Sequence, residues 1–297
     1  MIQNEELNRI TNLLAEQSYI ADNQIAMSVF LAAKLNKPLL VEGPAGVGKT
    51  EIAKVLSAAH DTELIRLQCY EGLDAYQALY EWNYQRQLLH LKMEEGAETS
   101  LEEKEATIFS DKFLLKRPLL QAITREKPVV LLIDEVDRAD IEFESFLLEI
   151  LSDWQVSIPE IGTIKAKSIP MVVLTSNRVR ELSEALRRRC LYLWIDYPDF
   201  EKEVAIVKQK VPNIDQQLAE QISAFMQEVR QLRLEKTPGI AETLDWATAL
   251  CELHLTHLDQ ELVESTLGIV LKDWKDIRQA QDSLSELFEK TGVRLKV

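Results

Sequence analysis

Gly43 to Thr50 reads Gly-Pro-Ala-Gly-Val-Gly-Lys-Thr, and no other run of the chain restricts the fold as tightly. It follows Pro38-Leu-Leu-Val-Glu42, a short apolar run with the pattern of a buried strand, and precedes Glu51 to Ala59, which has helical character and no breaker. A glycine-rich turn between strand and helix is a phosphate-binding loop in the setting its chemistry needs. Gly43, Gly46 and Gly48 let the backbone curl so that consecutive N–H groups converge on a β-phosphate, where the next helix also presents its positive end. Lys49 can reach the β- and γ-phosphates, and the Thr50 hydroxyl can hold Mg²⁺. The candidate nucleotide contacts are Gly43, Pro44, Ala45, Gly46, Val47, Gly48, Lys49, Thr50 and Glu51, with ATP and Mg²⁺ as the implied substrate and metal.

The rest of the chain places this loop in an α/β domain. Continuous apolar runs at Pro128-Val-Val-Leu-Leu-Ile-Asp134 and Pro170-Met-Val-Val-Leu-Thr-Ser-Asn177 predict strands covered on both faces. Thr62–Gln68 and Cys190–Ile195 predict two more, giving with the run before the loop a parallel five-stranded sheet. Helices are expected over Glu6–Ala33 (one or two), Ile141–Leu151 and Glu181–Arg188. The stretch 155–167, turning at Pro159 to Gly162, predicts a β-hairpin. Between Cys69 and Lys127 lies a long interval, aromatic at first and then acidic, whose part Met93–Glu105 reads as a loop or an exposed helix start. Beyond Pro198 the strand signal stops, and four or five helical segments predict a small all-α lid. The expected domains are therefore 1–198 and 199–297.

Asp134-Glu135 closes the first of these two buried strands. An acid there can anchor hydrated Mg²⁺, and its neighbour can polarise the water that attacks a γ-phosphate. Asn177 ends the next strand, where its amide can orient that water or touch the γ-phosphate from the side. Arg187-Arg188-Arg189 suits a helix C-terminus electrostatically, and it also suits an arginine finger offered to the γ-phosphate of a neighbouring subunit. Metal contacts are thus assigned to Thr50 and Asp134, and catalytic roles to Glu135, Asn177 and an arginine of this triplet.

In this order the motifs resemble an AAA+ ATPase, and within that group the MoxR-type branch. The carrying segments are Leu40–Thr50, Leu132–Asp140, Val156–Lys165, Thr175–Arg178 and Leu182–Arg189, while Glu71–Trp82 is similar to the CoxD-like subgroup. That subgroup is associated with maturation of carbon monoxide dehydrogenase and related molybdenum hydroxylases. The resemblance implies a homo-oligomeric ring, usually hexameric, with ATP between neighbours, and aligns Arg189 best with the finger, Arg188 second. It also implies a von Willebrand factor A domain partner and a metalloenzyme client. Residues 69–127 would be the helix-2 insertion and 155–167 the hairpin before the first sensor, both facing the pore or a client. One departure is that Thr237-Pro-Gly-Ile-Ala-Glu-Thr243 has no basic residue where many members place a sensing arginine. The second sensor is thereby unassigned, with Lys236 as an alternative group.

A formal net charge of −15, from 34 basic and 49 acidic residues, disfavours wholesale nucleic-acid binding. No run of about eighteen apolar residues occurs, and the N-terminus lacks the positive start of a signal peptide. The expectation is a cytoplasmic protein in which Cys69, Cys190 and Cys251 are free, small buried hydrophobes. Cys251, His254 and His257 recur every third residue on an expected helix, a spacing that drifts around the axis and does not converge on one ion. The functional expectation is an ATP-hydrolysing remodelling chaperone that assists metal-cofactor insertion into an oxidoreductase. The rival readings are a P-loop kinase or small-molecule transferase and, less favoured by the charge, a nucleic-acid motor.

Overall fold

A computed structural model describes residues 2–94 and 100–291. Residues 95–99 of the expected acidic stretch and 292–297 of the expected lid lie outside the described residues. Contacts divide the chain into two compact units, one made of Met1–Asn23, Gly43–Glu51 and Trp194–Val297, the other of Gln24–Glu42 and Ile52–Leu193.

Helices α1 (Ile2–Glu16) and α2 (Asn23–Leu35) precede strand β1 (Leu39–Glu42), and α3 (Lys49–Ala59) follows the glycine-rich loop. Strand β2 (Leu64–Gln68) leads to α4 (Ala75–Leu79), β3 (Tyr80–Trp82), α5 (Tyr84–Met93), α6 (Leu101–Ile108), β4 (Leu114–Lys116) and α7 (Pro118–Thr124). Then come β5 (Val130–Asp134), a 3-10 turn at Val136–Arg138, α8 (Ile141–Asp153), the hairpin β6 (Gln155–Ile158) and β7 (Gly162–Lys165), β8 (Met171–Ser176), α9 (Glu184–Arg189) and β9 (Leu191–Trp194). Strands β2, β5, β8, β1 and β9 form, in that order, the expected five-stranded parallel sheet.

The central strands are buried along their length, every residue of β1 and β5 and all but the first of β8, because helices cover both faces of a parallel sheet. Parallel register brings their ends together. Gln68 pairs with Asp134, and Glu42 pairs with Ser176, so the carboxyl ends of β1, β2, β5 and β8 share one edge of the sheet. In open α/β sheets that edge is where ligands bind. The chain leaves β1 there and enters the glycine-rich loop.

One core of this unit joins Leu131 and Ile133 of β5 to Leu119 and Ile123 of α7 and to Phe143, Leu147 and Ile150 of α8. Helix α8 forms because its apolar residues recur at helical spacing, and it stops at Trp154, which takes a left-handed backbone with φ 51°. Helix α7 starts with Pro118, whose missing N–H costs nothing in a first turn. Val156 and Ile158 bring the hairpin into the same core. Within residues 69–127, α4 packs on α7 and β3 pairs antiparallel with β4. Tyr80 and Trp82 are buried, whereas Tyr70, Tyr76 and Tyr84 are exposed, so the aromatics divide between packing and surface. Ser100 caps α6 reciprocally with Glu103, which is the helix start expected in the acidic stretch.

After β9 the chain is helical, as expected, but it makes six helices among the described residues rather than four or five. They are α10 (Phe200–Lys210), α11 (Gln216–Val229), α12 (Ile240–Glu252), α13 (Gln260–Val270), α14 (Trp274–Asp282) and α15 (Leu284–Thr291). The additional boundaries come from Asp273, which caps α14, and from a break at Ser283, neither marked by Pro or Gly. Their core is built on α11, where Leu218, Ile222, Phe225, Met226 and Val229 line one face against Trp246 and Phe288. Truncating Phe225 to Ala would cost about 3–5 kcal/mol. No described helix is long and apolar enough to cross a membrane.

Candidate functional site

The glycine-rich loop is built as its sequence requires. Gly46 and Gly48 adopt φ 75° and 90°, a region that residues with a side chain enter only at a cost of about 1–2 kcal/mol. A Cβ placed on Gly48 would meet nothing within 4 Å, so glycine is required there by its backbone conformation and not by crowding. Lys49, the first residue of α3, is only 6% exposed, and its Nζ donates to the carbonyls of Gly43 at 2.9 Å and Pro44 at 2.6 Å. Its ammonium is therefore held over the start of the loop. Glu51 pairs with Lys210 of α10 at 3.2 Å. A glycine-rich loop with a lysine at the N-terminus of a helix suits a polyphosphate.

The acids at the end of β5 form a second cluster, in the other unit. Asp134 is 3% exposed, with Oδ1 accepting from the Thr175 hydroxyl at 2.5 Å and Oδ2 accepting from Arg66 Nη2 at 2.5 Å. Oδ2 accepts from Arg66 Nε as well, at 3.1 Å, so one guanidinium holds this oxygen through two bonds. Thr175 also accepts from the backbone N–H of Glu135 at 2.9 Å. Glu135 itself adopts φ 54° and ψ 48°, an unusual left-handed conformation for a residue with a side chain. Strain of that kind, about 1–3 kcal/mol, persists only where neighbours hold it, and it concentrates at functional sites.

Four groups meet the Glu135 side chain and backbone. Asn177 Nδ2 lies 3.4 Å from Oε1, Gln68 Nε2 and Arg138 Nε lie 3.1 and 3.0 Å from Oε2, and Thr175 holds the main chain. Glu135 and Asn177, singled out separately from the sequence, thus lie side by side. Asp137, buried in the 3-10 turn, accepts from the N–H groups of Asn177 at 3.1 Å and Val179 at 2.8 Å, fixing the turn that carries Asn177. On the other side of β8, Ser176 donates to the buried Glu42 at 3.3 Å, and Arg178 approaches the same carboxylate at 3.9 Å.

Gln68, Arg66, Thr175 and Asp137 were not singled out from the sequence. Their signal lies in sheet register: once β2 neighbours β5 and β8 flanks it on the other side, Gln68 and Thr175 must border the Asp134-Glu135 pair. Arg188 and Arg189 stand elsewhere. Arg188 is 77% exposed and pairs with Glu184, while Arg189 donates to Ser152 and, at 3.1 Å, to the Ala185 carbonyl. Arg187 lies over the Tyr192 ring at 5.6 Å.

Burial pushes the Cys69 thiol up to about 12, with Asp134 adding to the effect, and burial likewise pushes Cys190 up to about 12. Both are inert neutral thiols at ordinary pH, in keeping with the expectation, and Cys251 is free and partly buried. Cys251, His254 and His257 do not share one helix, contrary to the expectation. Helix α12 ends at Glu252, and His254 adopts φ 56° beyond it, so only Cys251 of the three is helical. No cluster of three His, Cys, Asp or Glu among the described residues is arranged to hold a metal ion.

Residues 38–190, just over half of the chain, match the AAA domain (dynein-related subfamily). The chain belongs to this family. It is 30% identical over 237 residues to an uncharacterized protein of Staphylococcus haemolyticus, covering 76% of this chain and 81% of that one. An uncharacterized protein of Staphylococcus aureus is 26% identical over 255 residues, covering 82% of this chain and 87% of the relative. Among solved structures, a mutant RuvB of Thermotoga maritima is similar at a TM-score of 0.50 and 18% identity, over 97% of this chain and 83% of that one. That likeness extends the AAA+ fold through the C-terminal helices. The fold is that of nucleotide-hydrolysing enzymes that bind ATP with Mg²⁺ and commonly assemble into rings.

Proposed function

We propose that the protein hydrolyses ATP to ADP and phosphate and uses the cycle to remodel a client protein. The observation that carries this reading is Glu135, held in a left-handed backbone at the end of a buried strand with its carboxylate beside Asn177. Left-handed strain at a residue with a side chain clusters at functional sites, and a carboxylate beside an amide there has the composition of a general base with a water-orienting partner.

In this reading the backbone N–H groups of residues 43–50 and the Lys49 ammonium bind the phosphates. Thr50 and Asp134 hold Mg²⁺, which when bound neutralises developing charge on the phosphates. Glu135 takes a proton from the attacking water, and Asn177 orients that water. Arg189, or Arg188 beside it, reaches the γ-phosphate of a neighbouring subunit in a homo-oligomeric ring of six. The exposure of Arg188 and the shared helix terminus of the two residues support presentation to a partner.

The similarity of Glu71–Trp82 to the CoxD-like subgroup supports a narrower proposal. The client is a metalloenzyme, such as carbon monoxide dehydrogenase, whose cofactor is inserted with help from a von Willebrand factor A domain protein. Residues 69–127 and the hairpin 155–167 are the segments assigned to client contact, with Tyr70, Tyr76 and Tyr84 on the surface. Phosphate release by the wild-type chain and by Glu135→Gln tests the reaction. The variant should bind ATP and lose most turnover, and undiminished hydrolysis would reject Glu135 as the base. Proteins retained by ATP-loaded Glu135→Gln test the client, and recovery of no metalloenzyme would reject the narrower proposal.

A further inference from the structure

Helix α12 begins directly against the phosphate loop, within the same compact unit. The Ala241 N–H, one of the donors that a helix start leaves without an intrahelical acceptor, donates to the Gly46 carbonyl at 3.2 Å. Glu242 turns back to accept from the Gly239 N–H at 2.8 Å, closing the first turn. Gly239 is so near the loop that a Cβ built on it would stand 2.8 Å from the Ala45 carbonyl oxygen and from the C and Cα atoms of Gly46. Its own φ of −90° and ψ of −171° are open to any residue, so glycine is required at 239 by contact and not by conformation.

The turn that carries Gly239 is anchored from behind. Arg230 Nε donates to the Pro238 carbonyl at 2.9 Å, and its guanidinium grips Glu203 through two bonds of 2.6 and 2.7 Å, both side chains being buried. Thr243 of α12 donates to the same carboxylate at 2.7 Å.

A trans peptide points its C=O and the following N–H in opposite directions. With the Gly46 carbonyl turned to Ala241, the Val47 N–H is turned away from α12. In a loop of this sequence the backbone N–H groups cradle the phosphates shared by ADP and ATP. We infer that the first turn of α12 is a positioning device that orients the Val47 amide for a phosphate through the main chain. Gly239, Glu242 and Arg230 are its positioning residues. It occupies the stretch Thr237–Thr243, which contains no basic side chain, so it acts without reading the γ-phosphate. The inference rests on the ATP reading proposed above.

Calorimetric titration of the full chain with ADP and with ATP tests it. Gly239→Ala forces a methyl group into the loop backbone. It should weaken both nucleotides equally, by about tenfold or more, and lower the melting temperature of the nucleotide-free protein, because the methyl group meets backbone atoms that must shift. Weakening of ATP alone, or wild-type affinity for both in a folded variant, overturns the inference. If Gly239→Ala does not fold, the pair Glu242→Ala and Glu242→Gln decides instead. Alanine frees the Gly239 N–H and should weaken both nucleotides several-fold, while glutamine keeps an acceptor and should restore the affinity. Wild-type affinity in both Glu242 variants overturns the inference. Absence of binding by the wild-type chain would instead remove the nucleotide reading beneath it.

Discussion

Replacing Thr175 by valine keeps the shape of the side chain and removes the one hydroxyl that links the two acids of the β5 end. That hydroxyl donates to Asp134 Oδ1 at 2.5 Å and accepts from the Glu135 N–H at 2.9 Å. A hydrogen bond to a charged group contributes about 1.5–3 kcal/mol, and an ordinary one about 0.5–1.5 kcal/mol. Their joint loss should therefore cost about 2–4 kcal/mol. The second bond also restrains a residue held at φ 54°, so Glu135 is free to relax toward ordinary backbone geometry when it is lost. A displacement of about 1 Å at a reacting group costs on the order of a hundredfold in rate. Thr175→Val should lower phosphate release by about that factor and lower the urea midpoint, whereas Thr175→Ser should stay near wild type. Turnover of the valine variant within about twofold of wild type would refute the argument that Thr175 sets the position of Glu135.

Mixing Arg189→Ala chains with Lys49→Ala chains should restore part of the turnover if the arginine acts across an interface. No recovery at any ratio, with rings shown intact by light scattering, would count against action in trans. Arg230→Met leaves Glu203 buried without its cation and should destabilise the C-terminal helices by about 3–5 kcal/mol in urea unfolding. The double variant Arg230→Met, Glu203→Leu should be less damaged than that single one. Thiols held near 12 in the native state by burial ionise near 9 once unfolded, so the stability they contribute is full below about pH 9. It should be lost progressively as pH rises toward 12. Urea midpoints measured from pH 8 to 11 should fall less in Cys69→Ala, Cys190→Ala than in wild type, and equal slopes would contradict the assignment.

The sheet was legible because parallel strands covered on both faces are written as unbroken apolar runs. Val130–Asp134 and Met171–Ser176 coincide with such runs to within two residues at each end. The loop Gly43–Thr50 was legible because its chemistry demands particular residues at fixed spacing. Asn177 and Glu135 were legible singly, as polar residues at the ends of apolar runs, whereas their meeting depends on β8 lying beside β5. What stayed hidden depends on which strands are neighbours and in what register. Gln68 ends an ordinary alternating strand, and only its pairing with Asp134 reveals that it reaches Glu135. Thr175 belongs to an apolar run and becomes informative only beside β5. Helix boundaries without Pro or Gly, such as Ser283, leave no mark in the pattern. The contact between Gly239 and Gly46 joins segments almost two hundred residues apart and depends on close backbone approach, which spacing does not encode.

The most direct measurement is a calorimetric titration of Mg-ATP into the folded wild-type chain and into Lys49→Ala. The account predicts saturable heat with one nucleotide per wild-type chain and little or none with the variant. A folded wild-type chain that gave no heat with ATP or ADP, or a Lys49→Ala chain that bound as tightly as wild type, would contradict it.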